Sequence, residues 1–102
     1  MGLFVEISMA AEQDLEDVFD YSLQEHGLGQ AVKYVSSFDE AFQNLTTYPE
    51  IGRARLEIRV GLRSILKSYH VIFYRILSDR IRIVRVLHRN RDLPRQFDYQ
   101  TE

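Results

Sequence analysis

The chain has no cysteine and no tryptophan, and only two of its 102 residues are proline. Without cysteine there is no disulfide and no thiolate to act as nucleophile or metal ligand, which fits a reducing compartment. No apolar run approaches the roughly 20 residues needed to cross a bilayer. The opening MGLFVEISM lacks the basic flank of a secretory leader, and residue 6 is Glu where a myristoylation signal after Gly2 needs Ser or Thr. A cytoplasmic protein with no membrane partner is expected. Phosphate-loop, dinucleotide and nucleophile-elbow patterns are also missing, so the glycines serve turns. The acidic residues Glu12, Asp14, Glu16, Asp17 and Asp20 have helical spacing, face solvent and lack a His or Cys partner, so no metal and no cofactor are expected.

Positive charge is nearly absent from the first half. Residues 1–52 carry ten acidic side chains against Lys33 alone, whereas residues 53–102 carry twelve basic and five acidic ones. If folding keeps these halves on different faces, one surface attracts an acidic partner and the other repels it. Eleven of the thirteen basic residues are arginine, which favours planar, bidentate contacts to carboxylate or phosphate.

At this length one domain spanning 1–102 is expected, with Arg95–Glu102 a loosely held or partner-docking tail. LFVEIS (3–8) reads as a strand, and Ser8 as the cap of an amphipathic helix with Ala11, Leu15, Val18, Phe19 and Ser22 on one face. A second helix is predicted from Gln30 to about Thr47, its stripe formed by Ala31, Tyr34, Val35, Phe38, Ala41, Phe42 and Leu45, with Pro49 as its stop. The short EHGLG link makes the pair an antiparallel hairpin. SILKSY, HVIFYRI and RIRIVRVLH are strand-like, with turns at Lys67–His70 and Ser78-Asp79. The fold class is α+β, ordered β-α-α-β-β-β, a helical hairpin on a small antiparallel sheet. Alternation along the last strand sets Arg85 and Leu87 on the face of Ile81 and Ile83, a conflict that predicts a bulge near Val84.

The candidate chemistry gathers around RVLHRNRD (85–92). His88 has the one side chain there that titrates near neutral pH, and with Arg63 and Arg85 it would supply part of a set for cleaving RNA. A second acid or base is not evident in the sequence, although His70 or Tyr74 could lie nearby, and His88 reads better as a residue that caps the strand or bonds to a carboxylate such as Asp92. Arg53, Arg55, Arg59, Arg63, Arg82, Arg89 and Arg91 are the candidate target-binding residues. The rich stripe of the second helix makes Tyr34 and Phe42 candidates for a partner groove, with Phe97 and Tyr99 in the tail.

SMAAEQDLEDVFDY, GLGQAVKYVSSF, YPEIGRARLEIRVGLRS, HVIFYRI and IRIVRVLHRNRD, in that order, resemble the ParE branch of the ParE/RelE toxin superfamily over about residues 4–97. The resemblance implies the toxin of a bacterial toxin–antitoxin pair with a role in plasmid stabilisation. Its target would be DNA gyrase, bound so that cleaved DNA persists and replication stops. DNA would be met through gyrase or the antitoxin complex. A ParD-like antitoxin would neutralise it in a hetero-oligomer, with Tyr34, Phe42, Phe97 and Tyr99 as antitoxin-binding residues. On this reading the protein is not an enzyme. The RelE-type alternative, a ribosome-dependent messenger RNA endonuclease, would use His88, Arg85 and Arg63, and an inactive binding-only descendant is the third reading.

Overall fold

The computed structural model describes residues 2–91 and 94–97. Strand β1 (Phe4–Ile7) leads into helix α1 (Met9–His26) through Ser8, whose extended backbone and hydroxyl make it the N-cap. The Ser8 Oγ accepts the Ala11 N–H at 3.0 Å and donates to the Val84 carbonyl at 2.8 Å. One buried hydroxyl therefore starts the helix and fastens it to the sheet. Helix α2 (Leu28–Thr47) follows after Gly27 alone, which sits at φ 85°, ψ 172°, a conformation essentially reserved for glycine. The helix begins two residues before the predicted Gln30, because Gly29 is absorbed into its first turn. Pro49 ends it as expected and opens a 3-10 turn, Pro49–Ile51, where its missing N–H costs nothing.

Strands β2 (Arg53–Ala54), β3 (Arg63–Lys67), β4 (His70–Ile76) and β5 (Arg80–His88) complete a five-stranded sheet ordered β1-β5-β4-β3-β2. The meander β2 to β5 is antiparallel, while β1 lies parallel to β5 with Phe4 opposite Arg80. Sequence patterning did not reveal β2, which has only two residues.

The predicted bulge is present. Between β4 and β5 the register steps from Phe73 opposite Arg85 to Tyr74 opposite Ile83, leaving Val84 as the extra residue. That step resolves the alternation conflict: Ile81, Ile83 and Val86 enter the core beneath the helices, while Val84 and Leu87 join Leu62, Val71, Phe73 and Phe97 behind the sheet. The helix-side core is built on Phe38, Phe42, Leu45, Ile72 and Tyr74, each burial being worth roughly 1.5–3 kcal/mol.

One expectation for α1 is corrected. Asp14 does not face solvent; it is 8% exposed and shares the inner face with Ala11, Val18 and Ser22, while Leu15 and Phe19 are only partly buried. Its carboxylate is drawn inward by Arg85. Among the described residues no helix is long and apolar enough to cross a membrane.

Candidate functional site

Most of the candidate arginines are tied to the protein's own acceptors. Arg85 on β5 grips Asp14 of α1 with two hydrogen bonds, Nε to Oδ2 at 2.7 Å and Nη2 to Oδ1 at 2.9 Å, and the Val86 N–H adds a third to Oδ2 at 2.9 Å. The carboxylate beside it holds the Arg85 guanidinium above its ordinary pKa. Arg82 donates to Glu6 at 2.8 Å and Arg80 reaches the same carboxylate at 3.3 Å, which together hold Glu6 below the usual carboxylate range. Arg55 is buried, bonded to Glu57 at 2.7 Å and to the Ser64 hydroxyl at 2.9 Å, with its guanidinium over the Phe73 ring. Arg59 donates to the Phe97 carbonyl at 2.6 Å, and Arg63 to the Gly52 carbonyl at 2.6 Å. Arg53, Arg89 and Arg91 are exposed, with Arg89 over the Tyr69 ring.

The three residues proposed for RNA cleavage are not brought to one place. Arg63 and Arg85 stand on strands separated by β4, and their guanidiniums bond to different elements, Arg63 to the Gly52 carbonyl after the 3-10 turn and Arg85 to Asp14 of α1. His88, exposed at the end of β5, accepts the Asn90 N–H on Nδ1 at 3.1 Å, and Asp92 lies outside the described residues. Of the two groups suspected near it, His70 is there, directly across the strand pair with ring centroids 5.4 Å apart. Tyr74 is elsewhere. It is buried under the helices, where its hydroxyl donates to the Pro49 carbonyl at 2.6 Å and accepts the Gly52 N–H at 2.9 Å.

What sequence reading missed is a cleft of about 720 Å³ between the helical hairpin and the ends of β4 and β5. It is lined by all three histidines of the chain, His26, His70 and His88, together with Tyr21, Tyr34 and Tyr69. The Tyr34 hydroxyl is hydrogen-bonded to His70 Nδ1 at 2.8 Å, which ties α2 to β4. Burial first, then the neighbouring His88 and Lys67, push His70 down to about 4. Burial likewise raises the Tyr34 phenol. The only sequence signal for this cluster was that two histidines end the paired strands.

Of the candidate partner-binding residues, Tyr34 lines this cleft, whereas Phe42 and Phe97 are 2% and 5% exposed. Phe97 stacks edge-on against Phe73 with centroids 4.9 Å apart. Tyr99 lies outside the described residues. Among the described residues no group of three or more His, Cys, Asp or Glu is placed to hold a metal ion.

Comparison with known proteins adds to this geometry. Residues 5–93 match the family described as "ParE toxin of type II toxin-antitoxin system, parDE". Toxin ParE1 of Mycobacterium tuberculosis H37Rv is 37% identical over 90 residues, covering 87% of this chain and 92% of that one. Toxin ParE1 of Caulobacter vibrioides is 33% identical over 84 residues, covering 82% and 86%. In fold, the chain is similar to a chain of the chromosomal ParDE system from P. aeruginosa, with a TM-score of 0.73 and 22% identity over 84% of this chain and 95% of that one. A chain of the RelBE2 toxin–antitoxin complex from M. tuberculosis superposes with a TM-score of 0.67 at 22% identity, covering 87% and 100%.

Proposed function

This chain belongs to the ParE toxin family, the toxin component of type II toxin–antitoxin systems, and from that premise we propose that it poisons DNA gyrase by binding it. The complex would hold gyrase in its cleaved-DNA state and block replication until the cognate antitoxin occupies the toxin. A gyrase target places the protein in the cytoplasm, and its DNA contact would come through the enzyme it traps.

The observation that supports binding over bond chemistry is the dispersal of Arg63, Arg85 and His88. Cleavage of RNA needs a base, an acid and cations converging within hydrogen-bond reach of one phosphate. Here Arg85 is committed to Asp14 and Arg63 to the Gly52 carbonyl. Releasing either would strip the partner of its hydrogen bonds. A binding toxin has no such requirement, and of the candidate target-binding arginines Arg53, Arg89 and Arg91 are exposed to a target.

The test is a supercoiling reaction with purified gyrase, ATP, relaxed plasmid and folded toxin, quenched with detergent and protease. Linear DNA that accumulates with toxin concentration is expected. Normal supercoiling at large toxin excess would overturn the gyrase reading and direct attention to codon-localised cuts in translated messenger RNA.

A further inference from the structure

The register of the sheet sets Lys67, His70 and His88 side by side at one end of β3, β4 and β5. Between Arg63 and Arg91 the one acidic residue is Asp79, in the turn at the other end. This end of the sheet, which also carries Arg89 and Arg91, is therefore cationic, and it forms one wall of the cleft described above. The turn that closes it is fixed. Ser68 and Tyr69 are its two central residues, and Ser68 takes φ 54°, a region in which glycine is the usual occupant. The Arg89 N–H bonds the Tyr69 carbonyl at 2.8 Å, and the Arg89 guanidinium lies over the Tyr69 ring, 5.2 Å from its centroid. The Arg91 N–H bonds the His88 carbonyl at 3.0 Å.

Tyr69 is 60% exposed and borders the cleft, so a flat ring stands at the rim with a cation against it. Because the turn is already fastened to β5, little ordering is left to do when a ligand arrives. The lining beyond the rim is largely polar. The Tyr34 hydroxyl is engaged with His70 Nδ1, and His88 accepts the Asn90 N–H on Nδ1, which leaves the proton of the neutral ring on Nε2. Asp17, Ser22 and Gln30 stand on the helix wall. The volume of about 720 Å³ falls within the range, about 300–1,000 Å³, of sites that enclose a small organic group. An apolar side chain would strip water from these polar groups without replacing it, and a bare phosphate would meet the Asp17 carboxylate. The arrangement suits a ligand with a flat face for Tyr69, an edge of donors and acceptors for the polar side chains, and an anion for Arg89 and Arg91.

We propose that the cleft takes an unpaired nucleotide of a nucleic-acid strand, with its base stacked at Tyr69 and its phosphate beside Arg89 and Arg91. In an intact duplex the bases are paired and stacked and cannot enter without being extruded, so the site selects single strands. The source of the strand rests on the gyrase reading above. On that reading it is an end of the DNA that the enzyme has cut, and a toxin that holds the end keeps it from being resealed.

The experiment titrates the full-length protein into a short fluorescent single-stranded DNA, an RNA of the same sequence and the DNA duplex, and follows anisotropy at about 150 mM salt. Wild type is expected to bind the single-stranded DNA and not the duplex. Tyr69→Ala removes an exposed ring and no charge; it is expected to melt at the wild-type temperature and to weaken binding about tenfold or more, the effect of one stacked base. Tyr69→Phe, which keeps the ring, is expected to bind as wild type does. Arg53→Ala, which removes a cation on β2 outside the cleft, is expected to leave binding unchanged. No binding to either single strand, or no loss from Tyr69→Ala, overturns the site. Duplex binding as tight as single-strand binding, or equal losses from Tyr69→Ala and Arg53→Ala, overturns it by reducing it to charge attraction. Tighter binding of the RNA keeps the site and overturns its link to cut DNA. In the gyrase reaction Tyr69→Ala is expected to give less linear DNA at equal dose, and an equal yield overturns the same link. Wild-type protein that traps no cleaved DNA overturns the gyrase reading, while the oligonucleotide titration still decides the site.

Discussion

The Asp14–Arg85 pair shows how single residues set the fold's internal electrostatics. Both side chains are largely withdrawn from water, and the carboxylate satisfies a guanidinium and a backbone N–H at once. Removing one partner of such a pair costs more than the pair contributes, because the other charge stays buried. Asp14→Asn is expected to lose about 2–4 kcal/mol in urea unfolding, whereas Asp14→Leu with Arg85→Met should recover at least half of that loss; equal losses would mean the pair is solvated. His70 gives a second expectation. Its folded-state pKa of about 4 lies below the ordinary 6.5, so the folded protein binds fewer protons than the unfolded chain between these values. Stability is therefore full above pH 6.5 and declines as pH falls toward 4, by on the order of 1–2 kcal/mol. A His70→Gln variant should flatten that part of a melting-temperature profile between pH 7.5 and 4.5; an unchanged slope would show that other groups cause the decline. Neither group's role was legible in the sequence. The partner of Asp14 is 71 residues away, and the Tyr34–His70 bond joins helix to strand, so local periodicity carries no trace of either.

Elements were far more legible than sites, for a physical reason. Helical stripes and strand alternation are local consequences of burial, so the hairpin and the three long strands follow from Phe38, Phe42, Leu45 and the Ile and Val runs. Even the bulge could be read, because Arg85 and Leu87 would otherwise share the inner face with Ile81 and Ile83. What could not be read was β2, too short to show alternation, and the parallel placement of β1, which depends on α1 and α2 returning the chain to the far side of β5. The bulge also has a direct test. Deleting Val84 moves Ile81 and Ile83 by one position relative to Val86 and Leu87, which turns one set or the other to the wrong face. The deletion variant is expected to lose its cooperative unfolding transition, while Val84→Ala, which keeps the register and removes buried volume, should cost about 1–3 kcal/mol. A cooperative deletion variant would mean the sheet tolerates the slip.

At the scale of the whole molecule, the division of charge along the chain is partly cancelled by folding. Arg55, Arg80, Arg82 and Arg85 are paired with Glu57, Glu6 and Asp14, so strong positive sequence does not become an equally strong positive surface. The helices keep Glu12, Glu16, Asp17, Asp20, Asp39 and Glu40 exposed, and the net charge is -2. Duplex binding without sequence recognition depends on exposed cations that displace counterions from phosphates, and it weakens steeply as salt rises. With Arg53, Arg89, Arg91 and Arg95 exposed against that acidic surface, the isolated protein is expected not to retard duplex DNA at about 150 mM salt in a gel-shift assay. Adding gyrase and ATP to the same DNA should yield linear product. These two results separate a toxin that reaches DNA through an enzyme from a plain DNA-binding domain, which would retard the duplex unaided and leave gyrase unaffected. Retardation by the toxin alone would mean that its exposed arginines form a phosphate-binding surface despite the acidic helices.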